Sequence, residues 1–424
     1  MKQVYQNFKG GGIKVEDTPA PKLMSGQILI HTQASLLSAG TEGMVTEFSN
    51  KSLFQKAKSR PDLVKQVIDK AKVDGVISAY NIVKNRLDQP IALGYSAAGI
   101  ILEIAEDVEG FKIGDRVACA GAGYASHASI LSVPKNLVIK IPDSVPFDSA
   151  AFTTVGSIAL QGVRLAETQL GENIAVIGLG LIGQITVQLL KAAGCKVVGY
   201  DLDSRKITLA KSCGVDFATN DLNLFKDYCN NMSNNFGVDK IVITASTKSN
   251  DPIELSGVVA RDKAIVVAVG AVGLDIPRKT YYHKELEFRI SRSYGPGRYD
   301  PNYEELGHDY PIGFVRWTEN RNMQSFINLV AEGKIEPQKF ISHSFSIEEA
   351  SKAYELIKSN SKEDYLGIIL RYPGAPELSK TFKFPNHANS QTNNQGEISI
   401  GVIGAGGFSA GVLIPILKTH NDVK

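Results

Sequence analysis

A glycine-rich turn between a short apolar strand and a helical stretch constrains the fold of this chain more than any other feature. The turn reads G-x-G-x-x-G over residues 178–183 and directly follows the apolar run 174–177. Asp201 ends the next apolar run, near the spacing of about 20 residues that dinucleotide-binding units show. This order of a strand, a glycine turn, a helix and a second strand that ends in an acidic residue predicts a βαβ unit that binds a dinucleotide.

Each position of the turn has a physical reason. Gly178 permits the tight turn, Gly180 lets the backbone approach a pyrophosphate, and Gly183 lets helix and strand pack closely. Leu181 and Ile182 open the helix, whose free N–H groups and positive dipole end favour phosphates. The turn is therefore the predicted cofactor site.

The residues after the neighbouring strands predict which dinucleotide binds. The Asp201 carboxylate can accept both ribose hydroxyls and would repel a 2′-phosphate, so NAD is predicted rather than NADP. Arg205 could tolerate a 2′-phosphate, although a solvated helix charge is the simpler interpretation. Ser246 and Gly270 follow later strands and are predicted to line the nicotinamide, since ligands bind at the carboxyl ends of parallel strands. Ser246 could equally cap the following helix.

The rhythm of apolar runs predicts the domain organisation. From about residue 148 strands alternate with helical stretches, which favours a parallel sheet covered on both faces. The segments before it read as short strands of a barrel-like unit, with two or three amphipathic helices over 51–88. We divide the chain into residues 1–150 completed by 322–372, a catalytic domain; 151–321, an NAD-binding domain with an aromatic-rich extension; 373–396, a linker; and 397–424, the incomplete start of another unit.

Length and composition exclude several classes of protein. At 424 residues the chain has room for two to four folding units. A net charge of +2 gives no reason to expect a nucleic-acid partner. Four cysteines without a C-x-x-C pair and an N-terminus without an apolar leader favour a reduced, cytoplasmic protein. No apolar run reaches the length of about 18 residues that a membrane span needs.

As far as about Tyr372 the chain resembles the medium-chain dehydrogenase/reductases, the alcohol dehydrogenase-like proteins. The resemblance is carried by GYSAAG at 94–99, GDRV at 114–117 and the glycine turn. It implies an α/β fold with a barrel-like (GroES-like) catalytic domain. A Rossmann doubly wound parallel sheet is inserted into that domain, and the C-terminal segment returns to complete it.

The chain departs from the zinc enzymes of that family at the expected metal ligands. Tyr95 stands where those enzymes have a histidine, their catalytic cysteine would fall near Ser38, and residues 152–156 contain no Cys, His or Glu. Glu42 alone offers a ligand near these positions, and the lobe with four cysteines is missing. Because zinc needs three or four converging N, S or carboxylate ligands, we predict no metal.

Without zinc the reacting oxygen must be polarised by hydrogen bonds. Tyr95 is the first candidate donor, with a tyrosine that merely fills the vacated metal position as the equal alternative; Ser38 and Thr41 are further candidates. Arg292 follows the last strand of the sheet and could bind an anionic substrate group, or form a surface salt bridge. The scattered histidines are interpreted as structural: His31, His127, His283, His308 and His343.

The expected function is a zinc-independent NAD(H)-dependent oxidoreductase acting on a small carbonyl or alcohol, with a sugar or nucleotide sugar as a candidate substrate. The aromatic, arginine-rich segment 293–321 predicts a lid or sugar-binding loop, or a dimer contact, and a homo-oligomer is expected. A quinone or enone reductase and an NAD-binding module without turnover are the alternatives.

A second resemblance is short. Residues 400–409, IGVIGAGGFS, look like the first strand and turn of the Gfo/Idh/MocA oxidoreductases. They would be the truncated start of a second Rossmann domain. The chain would then be the front part of a bi-domain oxidoreductase. Such fusions are associated with surface-polysaccharide biosynthesis, which is an analogy rather than chemistry.

Overall fold

The computed structural model describes residues 1–6, 12–40, 42–43, 90–358, 364–375, 378–379, 400–404, 406 and 408–420. Thr41, the helices expected over 51–88 and most of the expected linker lie outside these residues. No helix in the described part is long and apolar enough to cross a membrane.

Strands and helices alternate along the chain as follows. The strands are β1 (Lys2–Gln6), β2 (Ile13–Asp17), β3 (Gln27–Ser38), β4 (Ile91–Ala92), β5 (Ser96–Ile104), β6 (Arg116–Ala120), β7 (Ile130–Pro134), β8 (Val138–Lys140), β9 (Asn173–Ile177), β10 (Lys196–Tyr200), β11 (Phe217–Thr219), β12 (Val238–Ile243), β13 (Ala260–Ala268), β14 (Glu287–Ile290), β15 (Ile341–Ser346) and β16 (Gly367–Arg371). The α-helices are α1 (Phe147–Ala150), α2 (Thr153–Leu165), α3 (Leu181–Ala192), α4 (Ser204–Ser212), α5 (Leu222–Met232), α6 (Asp251–Val259), α7 (Arg278–His283), α8 (Pro301–Glu304), α9 (Glu319–Ala331), α10 (Ala350–Lys358) and α11 (Ile414–Leu417).

Six parallel strands form the sheet that the apolar runs predict, in the order β11-β10-β9-β12-β13-β14. The chain runs outward from β9 in one direction, then returns to β12 and runs outward in the other. Ile177 at the end of β9 lies opposite Ile243 at the end of β12, so these two strands flank the switch point. Loops diverge there and leave the crevice in which such sheets bind ligands.

A second, mostly antiparallel sheet forms the barrel-like unit, in the order β15-β16-β3-β5-β6-β8, with β7 also paired to β3. The strand-forming residues 27–34 predict a strand, and β3 extends four residues further to Ser38, because its last residues pair with β16. Ser38 lies opposite Gly367, so the C-terminal segment is hydrogen-bonded to the N-terminal strand that carries a candidate site residue. This pairing joins positions that are remote in the sequence.

Helix α9 connects the two sheets. The sequence predicts a helix over 323–332, but α9 begins at Glu319, because the Thr318 side chain caps it by accepting from the Arg321 N–H. Phe326 of α9 packs so tightly on Gly156 of α2 that a Cβ there would lie 2.2 Å from its ring. A larger residue at 156 would therefore separate the two helices.

The second glycine-rich segment is only partly formed. Residues 400–403, the described part of the expected strand, are irregular and pair with no neighbour in the described chain. Ile403 is fully exposed and Phe408 is 68% exposed. A π turn over Ser409–Leu413 leads into α11. An isolated strand has no partner for its backbone groups, which accounts for the missing strand.

Candidate cofactor and substrate site

The glycine turn has the geometry that its sequence predicts. Gly178 has φ +98°, and a Cβ there would lie 2.5 Å from the Ala245 nitrogen. A Cβ on Gly183 would lie 2.1 Å from the Gly178 carbonyl oxygen. By contrast, an added Cβ on Gly180 would meet no atom within 4 Å. Gly178 and Gly183 are thus required by packing, whereas Gly180 faces open space that a pyrophosphate can approach.

A helix N-terminus and a carboxylate border the turn. Leu181 and Ile182 open α3, and no side chain caps its N-terminus. The Leu179 N–H donates to Asp201 Oδ2 at 2.7 Å, and the Asp203 N–H donates to Oδ1 at 2.9 Å. The Asp201 carboxylate is therefore held beside the turn, where phosphate-binding N–H groups and a ribose-binding carboxylate are needed together.

Arg205 is engaged by two carboxylates. It forms an ion pair with Asp203 at 2.9 Å and a second one with Asp364. Its side chain is 61% exposed, which agrees with the solvated helix charge favoured from the sequence. Arg205 is thus already paired, while the cation beside Asp201 is Lys206, whose ammonium lies 3.7 Å from Oδ1.

Ser246 and Gly270 lie at the carboxyl ends of β12 and β13. A Cβ on Gly270 would lie 2.0 Å from the Ala245 carbonyl oxygen, so the two strand ends are in close contact. Ser246 is exposed next to this contact. The alternative that Ser246 caps the following helix is wrong, because α6 begins at Asp251 with Asn250 as its N-cap residue.

Two segments that hold zinc ligands in the resembling enzymes meet in this structure. The Thr154 hydroxyl donates to the Tyr95 carbonyl oxygen at 3.3 Å, and the Thr154 N–H donates to Ser96 Oγ at the same distance. Tyr95 itself is half-buried against the core. The third segment ends β3, whose Ser35 pairs with Ala97 of β5, so its end runs toward Tyr95.

A buried cluster of hydrogen-bonded side chains, here the His127 cluster, lies beside these segments. Ser35 Oγ lies 2.7 Å from both His127 Nδ1 and the Tyr372 hydroxyl. His127 Nε2 lies 3.2 Å from Glu42 Oε2, to which the Tyr354 hydroxyl also donates. None of the five side chains is more than 5% exposed. Such a cluster fixes the strand ends and loops from which its members come.

The acceptor and donor roles in the cluster follow from Glu42. An ionised carboxylate only accepts hydrogen bonds, so His127 carries a proton on Nε2. Burial, followed by the charge of Glu42, raises the pKa of Tyr354 well above its usual range, so this phenol remains a donor. In the tautomer that carries its proton on Nε2, His127 accepts from the Ser35 hydroxyl through Nδ1.

The cluster contacts the candidate catalytic residues on two sides. The Ser38 N–H donates to Glu42 Oε1 at 3.2 Å. Gly94, the residue before Tyr95, has φ +95°, and a Cβ there would lie 2.8 Å from His127 Cγ. The cluster thus supports the backbone of both Ser38 and Tyr95.

Sequence reasoning missed this cluster. It noted Glu42 as an isolated ligand candidate and interpreted His127 as a scattered structural histidine. Glu42 is 85 residues from His127 and 312 from Tyr354, so no local pattern joins them. A histidine, a carboxylate and two tyrosines can form a hydrogen-bonded cluster. Only the pairing of β3 with β16 indicates that these four residues lie close together.

The described residues do not assemble the donor set that zinc requires. His127 and Glu42 are the metal-type donors of the cluster, and both imidazole nitrogens and both carboxylate oxygens already have partners. In the described part of the chain, no group of three or more His, Cys, Asp and Glu side chains could hold a metal ion. Zinc needs three or four such donors at one point.

Arg292 leaves β14 at the carboxyl edge of the parallel sheet. Its side chain is exposed, and its guanidinium carbon lies 4.4 Å from the centre of the Tyr299 ring. The surface salt bridge considered from the sequence is not formed with any described carboxylate. The structure does not join Arg292 to Tyr95 or Ser38 by a described contact.

Comparison with known proteins relates both domains to dehydrogenases. Residues 69–143 match the family described as alcohol dehydrogenase GroES-like domain, and residues 182–306 match the zinc-binding dehydrogenase family. An alcohol dehydrogenase of Geobacillus stearothermophilus is 30% identical over 161 residues, 31% of this chain and 48% of its own. The match thus spans about half the length of that relative.

Two further relatives cover more of the chain. A D-guloside 3-dehydrogenase of Shigella flexneri is 27% identical over 288 residues, 66% of this chain and 74% of its own. The crystal structure of galactitol-1-phosphate dehydrogenase from Escherichia coli superposes with a TM-score of 0.66 at 18% identity, covering 88% of this chain and all of the other. The predicted α/β fold, a GroES-like domain with a Rossmann-like parallel sheet, is confirmed.

Proposed function

We propose that this chain, an NAD(P)-dependent oxidoreductase of the medium-chain dehydrogenase/reductase type, interconverts an alcohol and a carbonyl on a sugar or nucleotide sugar without zinc, and prefers NAD. One observation carries the proposal: a glycine turn that is open at Gly180 lies beside a carboxylate, Asp201, held by the Leu179 N–H. Similarity to a D-guloside 3-dehydrogenase supports a sugar-like substrate.

The residues at the switch point fit a dinucleotide. The N–H groups at the start of α3 would hold the pyrophosphate, and Asp201 would accept the ribose hydroxyls. The ion pairs of Arg205 with Asp203 and Asp364 support NAD over NADP, since this arginine is already engaged by carboxylates. When bound, the nicotinamide supplies or accepts the hydride.

The catalytic domain would supply the hydrogen bonds that polarise the substrate oxygen. Tyr95 and Ser38 are the proposed donors, with Thr41 as a further candidate. Glu42 holds the Ser38 backbone, and His127 packs on the residue before Tyr95. Donors fixed in this way before the substrate arrives stabilise developing charge at little reorganisation cost.

Assays of the purified protein test this proposal. We expect oxidation or reduction of a sugar or nucleotide sugar with NAD(H), at zinc content far below one per chain and without loss on chelation. Stoichiometric zinc together with activity lost to a chelator would contradict zinc independence. Reduction of enones or quinones instead would favour the reductase alternative, and NAD binding without turnover of any compound would favour the non-catalytic module.

A further inference from the structure

We propose that Arg292 and the loop after β14 form a subsite for an anionic group, a phosphate or a carboxylate, on the substrate. This inference rests on the proposed oxidoreductase function and specifies its substrate class. It is carried by the place of the loop in the sheet, by the charge that Arg292 leaves unpaired, and by the way the loop holds that charge.

The loop begins at the ligand-binding edge of the sheet. Ile290, the last residue of β14, lies opposite Ala268 of β13, and the Ser291 N–H donates to the Ala268 carbonyl at 2.9 Å. Gly270 follows Ala268 at this same edge. Arg292 therefore leaves the sheet on the side where the glycine turn and the other carboxyl ends open toward a ligand.

Among the residues that the structure describes, Arg292 has no counter-ion, unlike its neighbours Arg289 and Arg298. Arg298 is paired with Glu304, and Arg289 with Glu167 at 2.7 Å. No carboxylate of the described chain lies within ion-pair distance of Arg292. An exposed guanidinium at a ligand edge can bind two oxygens of a phosphate or carboxylate with its planar fork.

The loop holds this guanidinium in place. The guanidinium carbons of Arg292 and Arg298 lie 4.4 Å and 4.1 Å from the centre of the Tyr299 ring. Tyr299 and Ser293 have φ of +68° and +54°, a left-handed backbone that residues other than glycine seldom adopt. Strained conformations of this kind persist where the surroundings impose them, and they concentrate at ligand sites. A guanidinium already stacked loses less freedom when an anion binds.

The ligand class follows from these groups. A planar fork of donors recognises a pair of oxyanion oxygens, which a neutral polyol lacks. The Tyr299 ring, 55% exposed, lies beside that fork and is covered by the Arg292 and Arg298 guanidinium groups. We therefore infer a sugar that bears a phosphate or a carboxylate rather than a neutral sugar or alcohol.

Binding measurements on the full chain with saturating NADH test the subsite independently of turnover. The probes are glucose 1-phosphate and UDP-glucose for phosphate, glucuronic acid for carboxylate, and neutral glucose. Arg292→Gln is compared with the control Arg278→Gln. Arg278 is likewise exposed, and its guanidinium carbon lies 5.1 Å from the centre of the Tyr282 ring. Calorimetry gives the affinities, and thermal shifts show that each variant is folded.

We expect at least one anionic probe to bind wild-type protein about 10-fold or more tightly than glucose. Arg292→Gln should weaken that probe by about 10- to 100-fold, Arg292→Lys by less, and Arg278→Gln not at all. The probe that responds identifies phosphate or carboxylate as the recognised group.

Equal binding by Arg292→Gln and Arg278→Gln would overturn the subsite. So would wild-type protein that binds NADH but shows no preference for any anionic probe. Failure of the proposed function would give a different result, in which anionic probes bind through Arg292 but no compound is oxidised or reduced.

Discussion

His127 Nε2 lies 3.2 Å from Glu42 Oε2, although 85 residues separate the two in the sequence. His127 is fully buried and Glu42 is 3% exposed, so neither group can exchange its partner for water. The contact connects the segment after β3 with the loop before β7, next to Ser38 and Tyr95. Removing one partner leaves the other buried without its hydrogen bond.

His127→Ala is expected to lower the free energy of unfolding by about 1–3 kcal/mol, because it leaves the buried Glu42 side chain with one hydrogen-bond partner fewer. Urea denaturation measures the loss. His283→Ala is the matched control, since His283 is exposed and its replacement should cost less than about 0.5 kcal/mol. Equal losses in the two variants would show that the contact does not stabilise the fold.

Gly180→Ala and Gly183→Ala are expected to separate cofactor binding from folding. Gly180 has φ −66° and free space at its Cβ position, so alanine should leave stability unchanged while weakening NADH binding about 10-fold or more. Alanine at 183 would place a Cβ 2.1 Å from the Gly178 oxygen and should cost about 1–3 kcal/mol of stability. Unfolding curves and NADH fluorescence titrations measure the two effects. Unaltered NADH affinity in Gly180→Ala would show that the pyrophosphate does not approach this side of the turn.

Asp201→Asn should shift cofactor preference toward NADP by about 10-fold, or about 1.4 kcal/mol. The amide preserves the shape of the side chain but removes the charge that would repel a 2′-phosphate. Arg205→Gln is the companion variant and should change the preference little, because Arg205 is already paired with Asp203 and Asp364. The affinities of each variant for NADH and NADPH measure the change in cofactor preference. A larger change in Arg205→Gln would assign the discrimination to the arginine instead.

Tyr95→Phe should lower turnover about 100-fold if its hydroxyl polarises the substrate oxygen. NADH affinity and the unfolding midpoint should stay near wild type, because the cofactor turn is in the other domain. Tyr282→Phe, at an exposed tyrosine, is the control and should leave turnover unchanged. Turnover retained in Tyr95→Phe would leave this residue as a packing tyrosine.

Glu319→Gln should raise thermal stability in alkaline solution. Glu319 is fully buried, and neither of its carboxylate oxygens has a hydrogen-bond partner within the described part of the chain. Burial, followed by repulsion from Glu304, raises its pKa to about 9. The unfolded glutamate titrates near pH 4.3. Folded protein therefore holds an extra proton between these values, and the stability this proton provides is lost as pH rises from about 4.3 to about 9.

Glutamine mimics the protonated acid and does not titrate, so the variant avoids this loss. We expect equal melting temperatures near pH 4 and a melting temperature a few degrees higher for Glu319→Gln at pH 9. Scanning calorimetry across this range measures the difference. Glu305→Gln, at an exposed neighbouring position, should show no pH-dependent difference from wild type. A constant offset between Glu319→Gln and wild type at every pH would contradict the titration.

Much of the coenzyme domain could be predicted because its signals are local. The apolar run 174–177 is observed in β9, and the helix expected to open at Leu181 and Ile182 is observed as α3, which begins at Leu181. The glycine spacing and the apolar runs that predict these two elements each span only a few neighbouring residues. The start of α9 was missed because it depends on the cap at Thr318, and the extension of β3 was missed because it depends on a strand far along the chain.

By itself the sequence determined the dinucleotide turn, since the left-handed backbone at Gly178 and the contact of Gly183 with the Gly178 carbonyl oxygen both lie within residues 178–183. Tertiary structure decided which polar groups meet in the catalytic domain. Ser35, His127 and Tyr372 come from three separate segments, and only the pairing of β3 with β16 and the burial of the loop before β7 bring them within hydrogen-bond distance. A hydrogen bond depends on distance in space, and no periodicity in the sequence encodes a contact between residues hundreds of positions apart.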